Sequence, residues 1–357
     1  MEQLLWFLIT LAIAFAGGYL GKKLKFPAGL LVGAMVFVSA FNILSGKGEF
    51  YTVVRVMLQI LSGALVGSRI GMNELKNMKS LVWSVVALIV SMMLLNVSFA
   101  VLIMLVSDLG AATALFATTP GGASDMGIIA PDFGGDPGIV AILQVSRLVL
   151  IYLFIPPTIR FLDKREAAKH PKGVIPRQKA ELLGASKVGT SKGMFLLMVL
   201  AAAVGGIVLH FLGVSAGAMI GAMIGSGIFC VTKGRQKYPA NLKNMLQICS
   251  GAYIGCRIDK ATILQMDQLI LPLLIMLAGI FAFTFCTSFV LRKVSGLDRS
   301  TAMLAATPGG IQEMSLLSEE LDADTPKVAV LHTARLVFVI LLFPYMIQIL
   351  LHLMGQL

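Results

Sequence analysis

The sequence is poor in charged residues, histidines and cysteines. Only 13% of its 357 residues are charged, whereas a soluble globular domain has roughly 25%, so the composition argues against a soluble protein. The four histidines and four cysteines have no metal-ligand spacing, and no Ser-His-Asp order is present. A phosphate-binding glycine loop is also missing. We therefore predict no enzyme activity, no metal site and no cofactor.

Long apolar runs dominate the chain instead. Hydrophobic residues make up 57% of the sequence, and the mean hydropathy is +0.88. The runs 3–21, 26–46, 80–107 and 268–291 carry no charge. Each can cross a hydrocarbon core of ~30 Å, which takes about 20 helical residues. No basic segment precedes the first run, so we expect no cleavable signal peptide. The sequence predicts an all-α polytopic membrane protein.

Basic residues concentrate in the polar stretch 160–192, which has nine lysines and arginines against three acidic residues. The stretch is too short and too poor in apolar residues to fold as a domain. A basic loop between membrane segments marks the cytoplasmic side, and binding to anionic lipid is the next interpretation. The net charge of +11 therefore does not indicate a nucleic-acid partner.

Two sequence blocks recur at a single offset of 188 positions. TALFATTPGGASDM (113–126) matches TAMLAATPGGIQEM (301–314), and MLQILSGALVGSRI (57–70) matches MLQICSGAYIGCRI (245–258). A constant offset indicates a duplication without insertions, so each half is predicted to fold as the same unit. The predicted units are a first membrane repeat (1–160), a basic cytoplasmic linker (161–192) and a second membrane repeat (193–357).

The apolar segment 111–131 is interrupted by Pro120-Gly121-Gly122. Proline removes a helix hydrogen bond and glycine adds backbone freedom, so a helix is predicted to stop there. The piece on either side is about ten residues long, or half a membrane. Either a broken helix crosses the membrane here, or a re-entrant hairpin returns to its starting side. The spans predicted for the first half are 3–21, 26–46, 52–72, 80–106 and 138–160.

Loop charge favours the hairpin. Lys22, Lys23 and Lys25 mark the loop after the first span as cytoplasmic, and a hairpin lets the last span deliver the basic linker to that same side. The second half then runs inverted, which also puts its basic loops 232–244 and 291–299 in the cytoplasm. We predict two inverted repeats, each with about five transmembrane helices and one re-entrant hairpin. Both termini lie outside, and the two Pro-Gly-Gly tips meet near the midplane.

Polar residues at and beside the two tips form the predicted solute site. The second half-helix of each hairpin begins with unpaired backbone N–H groups, which suit an anion or a polar solute group. Asp125 and Glu313 are equivalent carboxylates that either balance the helix dipole or belong to a proton or cation pathway. The predicted substrate-binding residues are Thr119, Gly121, Gly122, Ser124, Asp125, Arg147, Thr307, Gly309, Gly310, Gln312, Glu313 and Arg335.

Two arginines are placed deep within predicted spans. Arg147 and Arg335 follow Asp125 and Glu313, respectively, at equal spacing along the chain. At that depth neither side chain snorkels easily, so each needs a carboxylate, a carbonyl or an anionic solute as its partner. Two interpretations stay open: structural ion pairs within each half, or arginines that hold a carboxylate or phosphate of the solute.

Residues of the third and eighth spans are secondary candidates. Gln59 and Ser62 share one helix face at i, i+3 spacing, as do Gln247 and Ser250. Their expected role is interhelical hydrogen bonding beside small residues, with a share in the solute site as the alternative. His332, one turn before the arginine of the second half, is a candidate proton relay.

The doubled motif TPGG[AI]x[DE]M, followed each time by a helix containing RLV, resembles the bacterial AbrB family of integral membrane proteins. The resemblance covers nearly the whole chain and implies a multi-pass protein of the bacterial cytoplasmic (inner) membrane. The family carries the labels regulator and ammonia monooxygenase. A copper oxygenase needs clustered histidines, however, and a DNA reader needs a soluble docking element. Facing hairpins also resemble glutamate–sodium and citrate–sodium symporters, by analogy of fold.

Duplicated membrane halves with polar breaks between them are typical of solute transporters. We expect a secondary active transporter of a small anionic or polar organic solute that works by alternating access. Its expected partners are the solute, a coupling proton or sodium ion and membrane lipid, but no nucleic acid; assembly as a homo-oligomer is compatible with this. The alternative is a solute-sensing membrane protein that acts indirectly on gene expression.

Overall fold

A computed structural model describes residues 2–24, 29–169, 188–189, 191–214, 216–260, 266–309, 314, 317–318, 321 and 323–354. The helices of the first half are α1 (Glu2–Lys23), α2 (Gly29–Ser45), α3 (Thr52–Gly67), α4 (Met72–Ser80), α5 (Val82–Val106), α6 (Ala111–Thr118), α7 (Ala123–Ile129) and α8 (Pro137–Lys169). Those of the second half are α9 (Lys192–Phe211), α10 (Gly217–Lys233), α11 (Ala240–Gly255), α12 (Ile270–Ser295), α13 (Arg299–Ala306) and α14 (Thr325–Leu353). Two short strands, β1 (Val188–Gly189) and β2 (Arg235–Gln236), pair in parallel.

Six described helices are long and apolar enough to cross a bilayer, namely α1, α5, α8, α9, α12 and α14. A helix satisfies its own backbone hydrogen bonds, which the hydrocarbon interior requires. α2 and α10 are also apolar but have only 17 residues each. The expectation of an all-α polytopic membrane protein is confirmed, while the count of ten spans stays a prediction.

Two predicted spans of the first half have different bounds in the structure. Instead of one span over 52–72, α3 ends at Gly67 and α4 begins at Met72 after a bend of 68°. The polar helix α4 turns toward the second half of the chain. There its Glu74 pairs with Arg235 at 2.5 Å. The span predicted over 138–160 continues as α8 to Lys169.

Helix boundaries repeat at the offset seen in the sequence. The pairs α2 and α10, α3 and α11, and α6 and α13 begin and end at equivalent positions of the two halves. Close contacts repeat as well: a Cβ atom on Gly33 would lie 2.1 Å from the Gly17 carbonyl oxygen, and one on Gly221 would lie 2.1 Å from that of Gly205. Only glycine permits such close backbones, so α1 crosses α2 as α9 crosses α10.

The two halves interleave. α3 crosses α10 of the other half, where a Cβ atom on Gly63 would lie 2.2 Å from the Met219 carbonyl oxygen. α11 crosses α2 in the equivalent way, with the Cβ position of Gly251 2.4 Å from the Leu31 carbonyl oxygen. Alanines of both α6 and α13 belong to one hydrophobic core. The interrupted segments of both halves therefore share one protein interior.

Candidate functional site

The interrupted segment of the first half is a hairpin. α6 ends before Thr119, and α7 begins after Gly122. Beyond α7, the backbone N–H of Asp136 donates a hydrogen bond to the hydroxyl of Thr113, at the start of α6, at 3.0 Å. The end of the segment therefore lies beside its beginning, as a hairpin requires and a straight crossing helix does not allow.

The second half closes its interrupted segment in the same way. The backbone N–H of Asp324 donates to the Thr301 hydroxyl at 2.8 Å, and these residues are equivalent to Asp136 and Thr113. Thr307 and Gly309 belong to the described part of this second tip. Three predicted site residues fall outside the described ranges: Gly310, Gln312 and Glu313.

Glycine is favoured at the tips because a side chain would come too close to neighbouring atoms, and not because of its backbone torsions. Gly121, Gly122 and Gly309 all lack a positive φ, so the conformational freedom expected from the sequence is not what they supply. A Cβ atom on Gly122 would lie 2.5 Å from the carboxylate oxygen Oδ2 of Asp125. On Gly121 or Gly309 it would lie 2.8 Å from the Cε atom of a methionine, which can move. Gly122 is therefore the more restricted position.

Arg147 holds the first tip. The residue is buried, with 3% exposure, and donates to the carbonyl oxygens of Thr119 at 2.6 Å and Gly121 at 2.8 Å. The end of α6 leaves such carbonyls without helical donors, and the guanidinium charge also opposes the negative end of the helix dipole. Gln144, one turn earlier on α8, donates to the same Thr119 oxygen at 3.0 Å. Arg147 thus binds carbonyls, and the ion pair with Asp125 considered from the sequence is not formed.

Arg335 repeats this arrangement at the second tip. It is 4% exposed and donates to the carbonyl oxygens of Thr307 at 2.8 Å and Gly309 at 2.5 Å. His332 stands where the first half has a glutamine, and its Nε2 atom lies 2.9 Å from the Leu304 carbonyl oxygen. Because a carbonyl oxygen only accepts, this contact assigns the proton to Nε2 and makes Nδ1 of the neutral ring an acceptor.

The helix that carries each arginine contacts the hairpin of the other half, and unpaired polar atoms accompany both arginines. α14, which carries Arg335, contacts α6, and α8, which carries Arg147, contacts α13, so the two tips lie near each other. Within the described residues, the Nε–H groups of Arg147 and Arg335 have no hydrogen-bond partner, nor do Gln144 Oε1 and His332 Nδ1. Buried polar atoms without partners are rare in folded proteins. Asn96 Oδ1, on α5 beside the first tip, is unpaired in the described chain as well, and these donors and acceptors together indicate a place for water or a polar ligand.

Asp125 faces α3. The Ser62 hydroxyl donates to its carboxylate, and Arg69, just beyond α3, lies close enough to stabilise the negative charge. Ser124 is half-buried beside it at the start of α7. This hydrogen bond joins a primary candidate to a secondary one and ties the first hairpin to a helix outside it.

The polar face of α3 continues to the base of the hairpin. Gln59 donates to Oδ2 of Asp132 at 3.0 Å, and Arg55 forms an ion pair with the same carboxylate. Hydrogen bonding between elements, the role expected for Gln59, is thus what the structure shows. On the equivalent face of α11, Ser250 is buried and Gln247 is half-buried.

Three polar residues that contact the tips are missing from the sequence-based candidates: Gln144, described above, Asn96 and Thr284. Asn96, in the middle of α5, donates to the hydroxyls of Thr118 at 2.9 Å and Thr119 at 3.3 Å. Thr284 occupies the equivalent position on α12, with its hydroxyl 3.3 Å from that of Thr307. Asn96 is the only amide in the uncharged run 80–107, whose other polar residues are serines, and the constant offset between the halves then points to Thr284.

Other chemical features lie away from the tips. Among the residues that the structure describes, no group of three or more His, Cys, Asp or Glu is placed to hold a metal ion. A cavity of about 570 Å³ lies between the end of α5 and the start of α12, and hairpin residues do not line it. The tips with their buried arginines therefore form the candidate site.

Fold and site together define the class: an all-α polytopic membrane protein whose interior contains two helix breaks, each held by a buried arginine. The chain belongs to the AbrB family. The family model, described as "Transition state regulatory protein AbrB", matches residues 1–163 and 167–351.

Two relatives align over nearly their whole length. The chain is 25% identical over 369 residues to "Uncharacterized protein YhjN" of Bacillus subtilis (strain 168), covering 99% of this chain and 94% of that protein. It is also 25% identical over 353 residues to "Putative regulator AbrB" of Escherichia coli (strain K12), covering 96% of each. No solved structure matches the chain. The family indicated by the doubled motif is confirmed.

Proposed function

We propose that this protein is a secondary active transporter of a small organic solute, anionic or polar, and that it works by alternating access. One observation carries the proposal: the helix breaks at Thr119 and Thr307 lie near each other in one protein interior, each bound to a buried arginine. Inside a membrane, non-helical backbone is stable only where it is buried in protein or lines a polar cavity. Transporters place their solute sites at such breaks, between repeated halves.

Contacts between the first hairpin and α3 support a moving interface. They include the hydrogen bond from Ser62 to Asp125 and the ion pair of Arg55 with Asp132. Polar contacts of this kind can be exchanged for water when a site opens, with less loss than tightly packed apolar surface. The tightest backbone contacts, by comparison, join α1 to α2 and α9 to α10 through glycines. We therefore assign the hairpins to the mobile part and these helices to the supporting part.

Ion coupling is part of the proposal. A buried carboxylate in a membrane protein is costly and often marks a proton or cation pathway. Asp125 is 9% exposed, and its carboxylate accepts from the hydroxyl of Ser62 while Arg69 lies near. We assign to Asp125 the binding of the coupling proton or sodium ion.

The proposed topology is two inverted repeats of five spans and one hairpin, in the bacterial cytoplasmic membrane. Helix ends support the inversion. α10 ends in Lys233, whereas its equivalent α2 has no basic residue in its last turn. α12 ends with Arg292 and Lys293, whereas its equivalent α5 is followed by Asp108. These two pairs of equivalent ends differ in charge as opposite sides of a membrane demand, whereas α3 and α11 are each followed by an arginine, Arg69 and Arg257.

Solute exchange in proteoliposomes tests transport. The purified full-length protein is reconstituted, the vesicles are loaded with one unlabelled solute at a time, and counterflow of the radiolabelled solute is followed for a panel of carboxylates, amino acids and sulfonates. We expect counterflow of at least one anionic or polar solute, and its loss in Arg147→Met and Arg335→Met. Arg257→Lys is the control, because Arg257 contacts the Tyr253 ring, 5.7 Å from its centre, and does not bind a tip carbonyl. Solute binding without any exchange would contradict the proposal.

A solute sensor is the second candidate. The observation that favours it is a name: the E. coli relative is called a regulator, and the family description is that of a regulatory protein. Such a protein would bind its solute at the tips and influence gene expression indirectly. The same proteoliposomes separate the two candidates, because a sensor binds solute without counterflow.

A further inference from the structure

On the basis of the transport function above, we propose that the solute is a small hydroxycarboxylate. Its carboxylate group lies between Arg147 and Arg335 and accepts a hydrogen bond from the Nε–H of each. Its hydroxyl group donates to Gln144 Oε1 or His332 Nδ1. This names the chemical class of the solute and the four side chains that select it.

Charge at the two tips favours an anion. Arg147 and Arg335 bring two positive charges, and their hydrogen-bond partners within the described residues are backbone carbonyl oxygens. The carbonyl ends of α6 and α13 offset roughly half a charge each, and the Asp125 carboxylate is bound by Ser62 on α3 and by neither arginine. A monoanionic group between the two arginines therefore supplies a counter-charge that their described contacts lack.

Unpaired donors show where the anion binds. Each terminal nitrogen of the two arginines donates one hydrogen bond to a tip carbonyl, whereas the Nε–H of Arg147 and that of Arg335 are buried without a partner in the described chain. A carboxylate has two oxygens and about four lone-pair sites, so one group can accept from both arginines. Hydrogen bonds between ionised groups are also the strong ones.

Unpaired acceptors add the hydroxyl group. Gln144 Oε1 and His332 Nδ1 are buried without partners, one helical turn before the arginine of their own half. The donor groups that small organic acids most often carry beside their carboxylate are ammonium and hydroxyl groups. An ammonium ion would be repelled by two neighbouring guanidinium groups in a medium of low dielectric constant. A neutral hydroxyl group is therefore the better donor.

Lactate and propionate are the probes, because they are monocarboxylates that differ by one hydroxyl group. Thermal unfolding of the full-length protein in lipid nanodiscs is measured with each sodium salt and with sodium chloride at equal ionic strength. A bound ligand raises Tm in a saturable way. We expect lactate to raise it most, propionate less, and chloride not at all. Equal effects of lactate and propionate, or of all three salts, would overturn the proposal.

Variants locate the site. Arg147→Lys and Arg335→Lys keep the charge and a donor for the tip carbonyls but lose Nε–H. We expect the half-saturating lactate concentration to rise by about tenfold or more in each. Gln144→Leu should remove the difference between the Tm shifts caused by lactate and by propionate. Gln144→His, which introduces the residue found at the equivalent position of the second half, should restore this difference. Arg257→Lys serves as the control. Unchanged lactate binding in both lysine variants would overturn the site.

The unliganded Tm shows whether each variant folds, and the wild-type comparison of the two probes needs no variant. Failure of this inference also differs from failure of the transport function. Counterflow of a neutral or cationic solute without stabilisation by lactate would overturn the hydroxycarboxylate site and keep the transporter. Stabilisation by lactate without exchange of any solute would keep the site and overturn transport.

Discussion

Asp125 is expected to be coupled energetically to Ser62 and not to Arg147. The Ser62 hydroxyl donates to the Asp125 carboxylate, whereas Arg147 donates to the carbonyl oxygens of Thr119 and Gly121. Two double-mutant cycles separate these contacts. One combines Asp125→Ala with Ser62→Ala, and the other combines Asp125→Ala with Arg147→Met, in which methionine replaces the apolar stem of arginine.

The magnitudes follow from the number and kind of hydrogen bonds. A hydrogen bond to an ionised group contributes about 1.5–3 kcal/mol in soluble proteins, but coupling energies between membrane helices reach only about 1.7 kcal/mol. We therefore expect a coupling of about 1–1.7 kcal/mol between Asp125 and Ser62. Arg147→Met alone should cost about 2–4 kcal/mol, because two such bonds are lost and the Gly121 carbonyl oxygen loses its arginine donor, whereas the Thr119 oxygen keeps its donor from Gln144. Its coupling to Asp125 should stay within about 0.5 kcal/mol.

Equilibrium unfolding in mixed micelles, followed by circular dichroism, measures these free energies. The cycle with Ser62 is the positive control for the cycle with Arg147. An ion pair between Asp125 and Arg147 would make the double variant more stable than Arg147→Met, because removing both partners strands no buried charge. A recovery of more than about 1 kcal/mol would refute the assignment of Arg147 to the tip carbonyls.

Three further predictions follow from contacts and exposure. Gly33→Ala should prevent folding, because its Cβ would lie 2.1 Å from a backbone oxygen, whereas Gly193→Ala, whose nearest atom is 4.0 Å away, should be tolerated; size-exclusion chromatography distinguishes them, and a monodisperse Gly33→Ala protein would contradict the helix crossing. Gly122→Ala should lower solute exchange while expression persists; exchange at the wild-type rate would indicate that the tip is only a structural turn. In a cysteine-free background, a cysteine at exposed Ser45 should be labelled from outside and one at exposed Lys233 only from inside; labelling of position 233 from outside would refute the inversion.

The helix breaks could be predicted from the sequence because proline within an apolar segment has one local consequence. Pro120 ends α6 wherever the segment lies in the fold, and the constant offset between the halves carries the same boundary to α13. The partner of Arg147 could not be predicted in this way. Its spacing from Asp125 along the chain puts both residues near the tip, but rotation of α8 over the hairpin decides whether a carboxylate or a carbonyl is in reach.

The contacts between the two halves could not be predicted from the sequence either. Glycine at position 63 indicates that some backbone comes close, and the same holds for Gly251. Which backbone it is depends on the interleaving of α3 with α10 and of α11 with α2, a long-range arrangement that no local pattern specifies. The bend between α3 and α4 could not be predicted for the same reason, because Glu74 of α4 pairs with Arg235 of the other half.

Equivalent positions of the two tips divide into those that are identical and those that differ. The identical pairs are Thr119 and Thr307, Gly121 and Gly309, and Arg147 and Arg335. Each arginine binds the carbonyl oxygens of the threonine and the glycine in the hairpin of its own half. This role is structural, and both hairpins need it. The differing pairs include Asn96 and Thr284, Gln144 and His332, Ser124 and Gln312, and Asp125 and Glu313. Two identical hairpins alone would offer a symmetric site, which a small solute without two-fold symmetry cannot use equally. In the proposed transporter, the identical residues therefore build the tips and supply the anion-binding charge, while the differing residues orient the solute between them.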